Sequence, residues 1–80
     1  MKELVEFIVK SLVDSPDEVH VAAVEDRSET TLELSVAADD MGRIIGKNGR
    51  VINSIRTLIQ VAAAKEGKHV NLEVLEADRT

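Results

Sequence analysis

Gly42-Arg43-Ile44-Ile45-Gly46-Lys47-Asn48-Gly49-Arg50 lies between two stretches of helical periodicity, and its reading decides the fold. Upstream, Asp39-Asp40 places carboxylates where a helix start wants an N-cap. The apolar-rich Met41–Ile45 that follows predicts a short helix. Downstream, Val51, Ile52, Ile55, Leu58, Ile59 and Ala62 recur at helical spacing and predict a longer helix that closes near Gly67, with these six on one face. Gly46-Lys47-Asn48-Gly49 breaks both patterns. Glycine tolerates positive φ and has no Cβ, so a glycine pair around two polar residues permits a sharp turn and brings backbone amides close to a ligand. The amides and dipole at the start of the second helix, at Gly49-Arg50, favour an anion such as phosphate, and Lys47, Arg50 and Arg43 add charge beside it. By itself a G-x-x-G segment equally describes a plain turn between helices, so its surroundings decide.

Working outward, Leu4, Val5, Ile8, Val9 and Leu12 alternate with Glu3, Glu6 and Lys10 as an amphipathic helix over Glu3–Leu12, ended by Ser15-Pro16. Val19–Val24 is rich in β-branched residues, and Thr31–Val36 alternates strictly, so the two read as a hairpin across the polar segment 25–29. His69–Val74 alternates again, and the last residues, 77–80, read as a frayed tail beyond one domain over 1–76. The order α-β-β-α-α-β is an α+β unit. A crossover through two helices returns the third strand parallel to the second, giving a mixed three-stranded sheet in a two-layer sandwich. Leu32, Leu34, Val36, Val70, Leu72 and Val74 supply the apolar face that helices cover, and Thr31, Glu33, Ser35, Asn71 and Glu73 the polar one.

The 80 residues allow one small core, and 44% hydrophobic with 31% charged residues belongs to a soluble globular chain. With no cysteine there is neither a disulfide framework nor thiol chemistry, which fits a reducing cytoplasm. No apolar run is long enough for a signal or membrane span. The net charge of −5 hides an asymmetry: Met41–Lys65 holds five basic residues (Arg43, Lys47, Arg50, Arg56, Lys65) and no acidic one, whereas the remainder holds five basic and fifteen acidic. A phosphate backbone has one place to dock, and the acidic remainder discourages unselective coating of nucleic acid.

Between two helices, Gly42 to Arg50 resembles the signature of the K homology (KH) domain, and the element order resembles its type II version found in bacteria. The opening Lys2–Lys10, with Leu12-Val13-Asp14 and Pro16-Asp17-Glu18-Val19, is similar to the KhpA-type small single-KH proteins, so the resemblance covers about Lys2 to Leu75. It implies that Gly46, Lys47, Asn48 and Gly49 clamp the backbone of single-stranded RNA, with a few nucleotides in the groove. It also implies that Ile45 lines the groove floor beside Arg43 and Arg50. Self-association, a larger KH-containing partner of the Jag type, and work as an RNA chaperone or post-transcriptional regulator are further implications. The residues agree in one respect: with no Trp or Tyr and only Phe7, bases have no aromatic platform, which argues against RRM and OB surfaces. Aliphatic contact remains, with Ile44, Ile45 and Val51 as candidates, although core packing is the first role of Ile44 and Val51.

Other chemistries fit less well. Gly42-x-x-x-Gly46-Lys47 is one residue short of a P-loop and has Asn48 where Mg²⁺ needs Ser or Thr. A helix-turn-helix shares the paired helices but not the sheet or so short a first helix. His20 and His69 approach only if their strands neighbour, and two histidines without a placed carboxylate make a poor metal site. Asp39-Asp40 has no companion nucleophile or base. The sequence therefore predicts neither enzyme nor cofactor nor metal. The rival class is a protein-interaction module, in which the domain serves dimerisation and RNA contact is incidental.

Overall fold

In a computed structural model, which describes residues 1–75, the chain runs α1 (Lys2–Leu12), β1 (His20–Glu25), β2 (Thr30–Ser35), α2 (Met41–Ile45), α3 (Arg50–Lys65) and β3 (Val70–Val74). The six elements and their order are those read from the sequence, with boundaries moved by a residue or so. The tail at 77–80 lies outside the described residues.

The strands form one sheet in the order β1-β2-β3. β1 pairs antiparallel with β2, Val21 opposite Leu34 and Ala23 opposite Leu32. β3 pairs parallel with β2, Leu32 opposite Leu72 and Leu34 opposite Val74. The parallel seam extends past both strand ends, through Thr30 N–H to His69 O at 2.9 Å and Leu75 N–H to Leu34 O at 2.8 Å. This is the mixed sheet that the two-helix crossover demands. Because side chains alternate, the register puts Val21, Leu32, Leu34, Val70 and Leu72 on one face, all buried, with Val74 half-buried beside them.

Helices cover that face. α1 contributes Val5 and Val9, α2 contributes Ile44, and α3 contributes Ile52, Ile55, Ile59 and Ala63. Burying each larger aliphatic side chain stabilises the fold by roughly 1.5–3 kcal/mol. The stripe on α3 is narrower than the six residues read from its periodicity. Leu58 is 58% exposed, and Ala62 is only half-buried. A helix of that pitch offers a wide apolar arc, and here the sheet meets only the part at 52, 55, 59 and 63. On α1, Leu4 and Leu12 lie at the margin for the same reason, and Phe7 is 72% exposed. The bonds Lys68 N–H to Ala63 O and Gly67 N–H to Ala64 O close α3 in a Schellman arrangement.

The aspartates ahead of α2 correct the sequence reading. No side chain caps α2. The Asp40 carboxylate turns away from its own helix and accepts the N–H of Asp14 and the N–H of Ser15, each at 3.1 Å. The chain leaving α1 at Val13 exposes donors with no helical acceptor, and the buried carboxylate, 2% exposed, satisfies two of them. Arg43 then reaches Asp14 at 2.9 Å and Asp40 at 3.8 Å. One carboxylate thus fastens the end of α1 to the start of the segment that carries the glycine loop.

Asp40→Ala is expected to lower unfolding free energy by about 2–3 kcal/mol, because two part-buried N–H groups lose their acceptor. The exposed neighbour, changed as Asp39→Ala, should stay within about 0.5 kcal/mol. Urea unfolding followed by circular dichroism checks both.

Candidate nucleic-acid interface

The loop between α2 and α3 is a single tight turn. Gly46 sits at φ 73°, ψ 176°, Asn48 at φ 57°, ψ 26°, and Gly49 at φ 75°, ψ 15°. Asn48 is the one non-glycine residue with positive φ among the described residues, a conformation that Asn and Asp tolerate better than other side chains. Gly46 is required for a second reason as well. A Cβ there would overlap the Val51 side chain, lying 2.9 Å from its Cβ and 3.0 Å from its backbone nitrogen. The close approach of backbone to Val51 lets α2 fold back against α3.

The turn's own hydrogen bonds are Gly49 N–H to Gly46 O and Arg50 N–H to Lys47 O. They leave the N–H groups of Lys47 and Asn48 outside that bonding, on residues exposed to solvent. No side chain caps α3, and although the Arg50 N–H is taken by Lys47 O, the positive end of the helix dipole lies beside the same loop. Lys47 and Arg50 are exposed, and neither lies within ion-pair distance of a carboxylate among the described residues. The loop combines backbone donors, a helix dipole and two cations, a combination whose chemistry suits an anion such as phosphate. An open hollow of about 590 Å³ lined by Arg50, Asn53, Ser54, Thr57 and Leu58 begins at the loop and runs along α3.

The other residues singled out in the sequence separate by role. Arg43 lies one helical turn back and is held by Asp14 and Asp40. Ile44 is fully buried, whereas Ile45 and Val51 are half-buried against the core. Arg56, counted in the basic segment, faces β3 instead of the loop. Its Nε donates to Leu72 O at 3.2 Å, and its Nη1 to Asn53 Oδ1 at 2.9 Å. His20 and His69 stay apart, because β1 and β3 are separated by β2. The sequence reading missed Asn53 and Arg56 as a pair. They stand four and seven residues after Gly49, one stripe of α3, and that spacing was the available signal.

The KhpA/KhpB KH-domain family model matches residues 2–74. The chain belongs to this KH family. Among curated relatives it is 53% identical to the RNA-binding protein KhpA of Clostridium acetobutylicum over 75 residues, which is 94% of this chain and 100% of that one. It is 52% identical to the KhpA of Clostridium perfringens, with the same coverage. To that of Borreliella burgdorferi it is 51% identical over 92% of this chain and 90% of the relative. The α-β-β-α-α-β order described above is that of the small KH fold.

Gly42, Gly46 and Gly49 should respond differently to alanine. Gly46→Ala is expected to destabilise by about 2–4 kcal/mol, adding left-handed strain to overlap with Val51. Gly42→Ala, in α2 with nothing within 4 Å of the new methyl, should be neutral or stabilising by about 0.4–1 kcal/mol. Gly49→Ala, strained in φ but with only Asn53 Nδ2 nearby at 3.5 Å, should fall between them. Thermal melts of the three variants measure the order.

Proposed function

We propose that this chain is a single KH domain, over residues 1–76, that binds single-stranded RNA with the phosphate backbone seated on Gly46, Lys47, Asn48 and Gly49. Arg50 adds a second cation, Arg43 reinforces the potential from behind the loop, and Ile45 lines the floor of the groove. The observation that carries this reading is the exposed left-handed turn, with amides outside its own hydrogen bonding and two cations that pair with no carboxylate among the described residues, at a helix start without a side-chain cap. The relatives' name, RNA-binding protein, supports RNA as the polymer. The family is one of binding domains, so the chain is not an enzyme.

The cellular role that follows is that of an RNA chaperone or post-transcriptional regulator in the cytoplasm, the compartment where a bacterial RNA would be met. No helix among the described residues is long and apolar enough to cross a membrane. Self-association and pairing with a larger KH-containing partner of the Jag type belong to the same reading. The family description joins KhpA to KhpB, and Phe7, Leu58 and Val61 leave apolar surface outside the core, both of which support a protein partner.

Lys47→Asp combined with Asn48→Asp tests the clamp, because aspartate tolerates the conformation of residue 48 and the variant should keep its circular dichroism spectrum. The folded double variant is expected to lose binding of short single-stranded RNA in fluorescence anisotropy. Wild-type affinity should fall with salt at a slope of about −1.4 in log–log form, for two phosphate contacts. Equal binding by wild type and variant, or none by either, would hand the molecule to the protein-interaction reading.

A further inference from the structure

Arg56 is the one cation of the basic segment whose guanidinium is fixed against the sheet. Its Nε donates to Leu72 O and its Nη1 to Asn53 Oδ1. Leu72 lies on β3, which is an edge strand because the sheet order ends there. The Leu75 N–H points to β2, so alternate residues turn their main-chain groups to β2, and Leu72 turns its own to the open edge. Arg56 therefore sits in the angle between α3 and a strand edge that no other strand covers among the described residues. Asn53 links this place to the clamp: its Nδ2 is 3.5 Å from where a Cβ on Gly49 would be.

A guanidinium has five N–H groups in a rigid plane. Two are engaged, by Leu72 and Asn53, so each terminal nitrogen keeps at least one hydrogen with no acceptor among the described residues. Held in this way, the fork has lost its freedom before any ligand arrives, and little further ordering is needed. From the loop, Asn53 leads from Gly49 to the strand edge, and the group presented there is a planar double donor.

Building on the RNA reading above, we propose that Arg56, with Asn53 as its positioning residue, reads one nucleobase and selects for two adjacent acceptors. Cytosine presents N3 beside O2, and guanine O6 beside N7. Along the hydrogen-bonding edges of uracil and adenine, donors alternate with acceptors, so only one N–H of the fork finds a partner.

The test compares short oligo(C), oligo(U) and oligo(A) in fluorescence anisotropy with wild type, Arg56→Lys and Asn53→Ala. Lysine keeps the charge but not the planar fork. Wild type is expected to bind oligo(C) about tenfold tighter than oligo(U) or oligo(A). In Arg56→Lys that ratio should fall to near unity, while oligo(U) affinity changes by less than about threefold, the size of a retained charge contact. Asn53→Ala should lower the ratio partway. In parallel, the Arg56 Nε–H resonance of wild type should shift with oligo(C) and stay in place with oligo(U), a readout that needs no variant to fold. Wild type that binds all three equally, or Arg56→Lys that keeps the ratio, overturns the proposal and leaves the clamp standing. Wild type that binds none of them removes the RNA reading itself.

Discussion

The closest constraint in this fold is the contact of the Gly46 backbone with Val51, where no β-carbon fits. Two helices of very unequal length must reverse direction within four residues and still bury Ile44 from one and Ile52 from the other in the same core. Positive φ at residues 46, 48 and 49 makes the reversal, and the missing side chain at 46 lets the helices approach. The geometry that packs the core also strips the turn of amide partners. The tight reversal and the exposed amides thus arise from the same four residues.

A second fastening holds the loop's platform. α2 has five residues, too few for a helix to persist alone in water. It is fixed by Ile44 in the core and by the Asp40 carboxylate beneath α1, with Arg43 bridging Asp14 and Asp40. An exposed ion pair such as Arg43–Asp14 contributes little by itself. The buried carboxylate counts for more, since it satisfies backbone donors that water reaches poorly. Through these contacts α1, although distant in sequence from the loop, helps set where the loop stands.

The charge pattern gains its meaning from this packing. Of the basic residues in 41–65, Arg43 and Arg56 are engaged with protein acceptors, whereas Lys47 and Arg50 at the loop pair with no carboxylate among the described residues. Fifteen acidic residues elsewhere keep the rest of the surface from competing for a polyanion. The charge pattern singles out one place by subtraction as much as by attraction.

Periodicity, turn chemistry and charge order are local properties, and they sufficed for the six elements, the parallel return of β3, the sheet's apolar face and the tight turn between α2 and α3. Boundaries moved by about a residue, because the ends depend on which hydrogen bonds close first. What the sequence could not determine involved partners far along the chain. Asp40 looked like a cap for the helix beside it, but its acceptors were needed 25 and 26 residues earlier. Leu58 fitted the helical stripe, yet the sheet is not wide enough to reach it, and Arg56 counted as loop charge until β3, 16 residues on, placed a carbonyl against it. A repeat along the chain fixes which residues share a face of a helix, but only the packing of one element on another decides how much of that face is covered and which charges find partners.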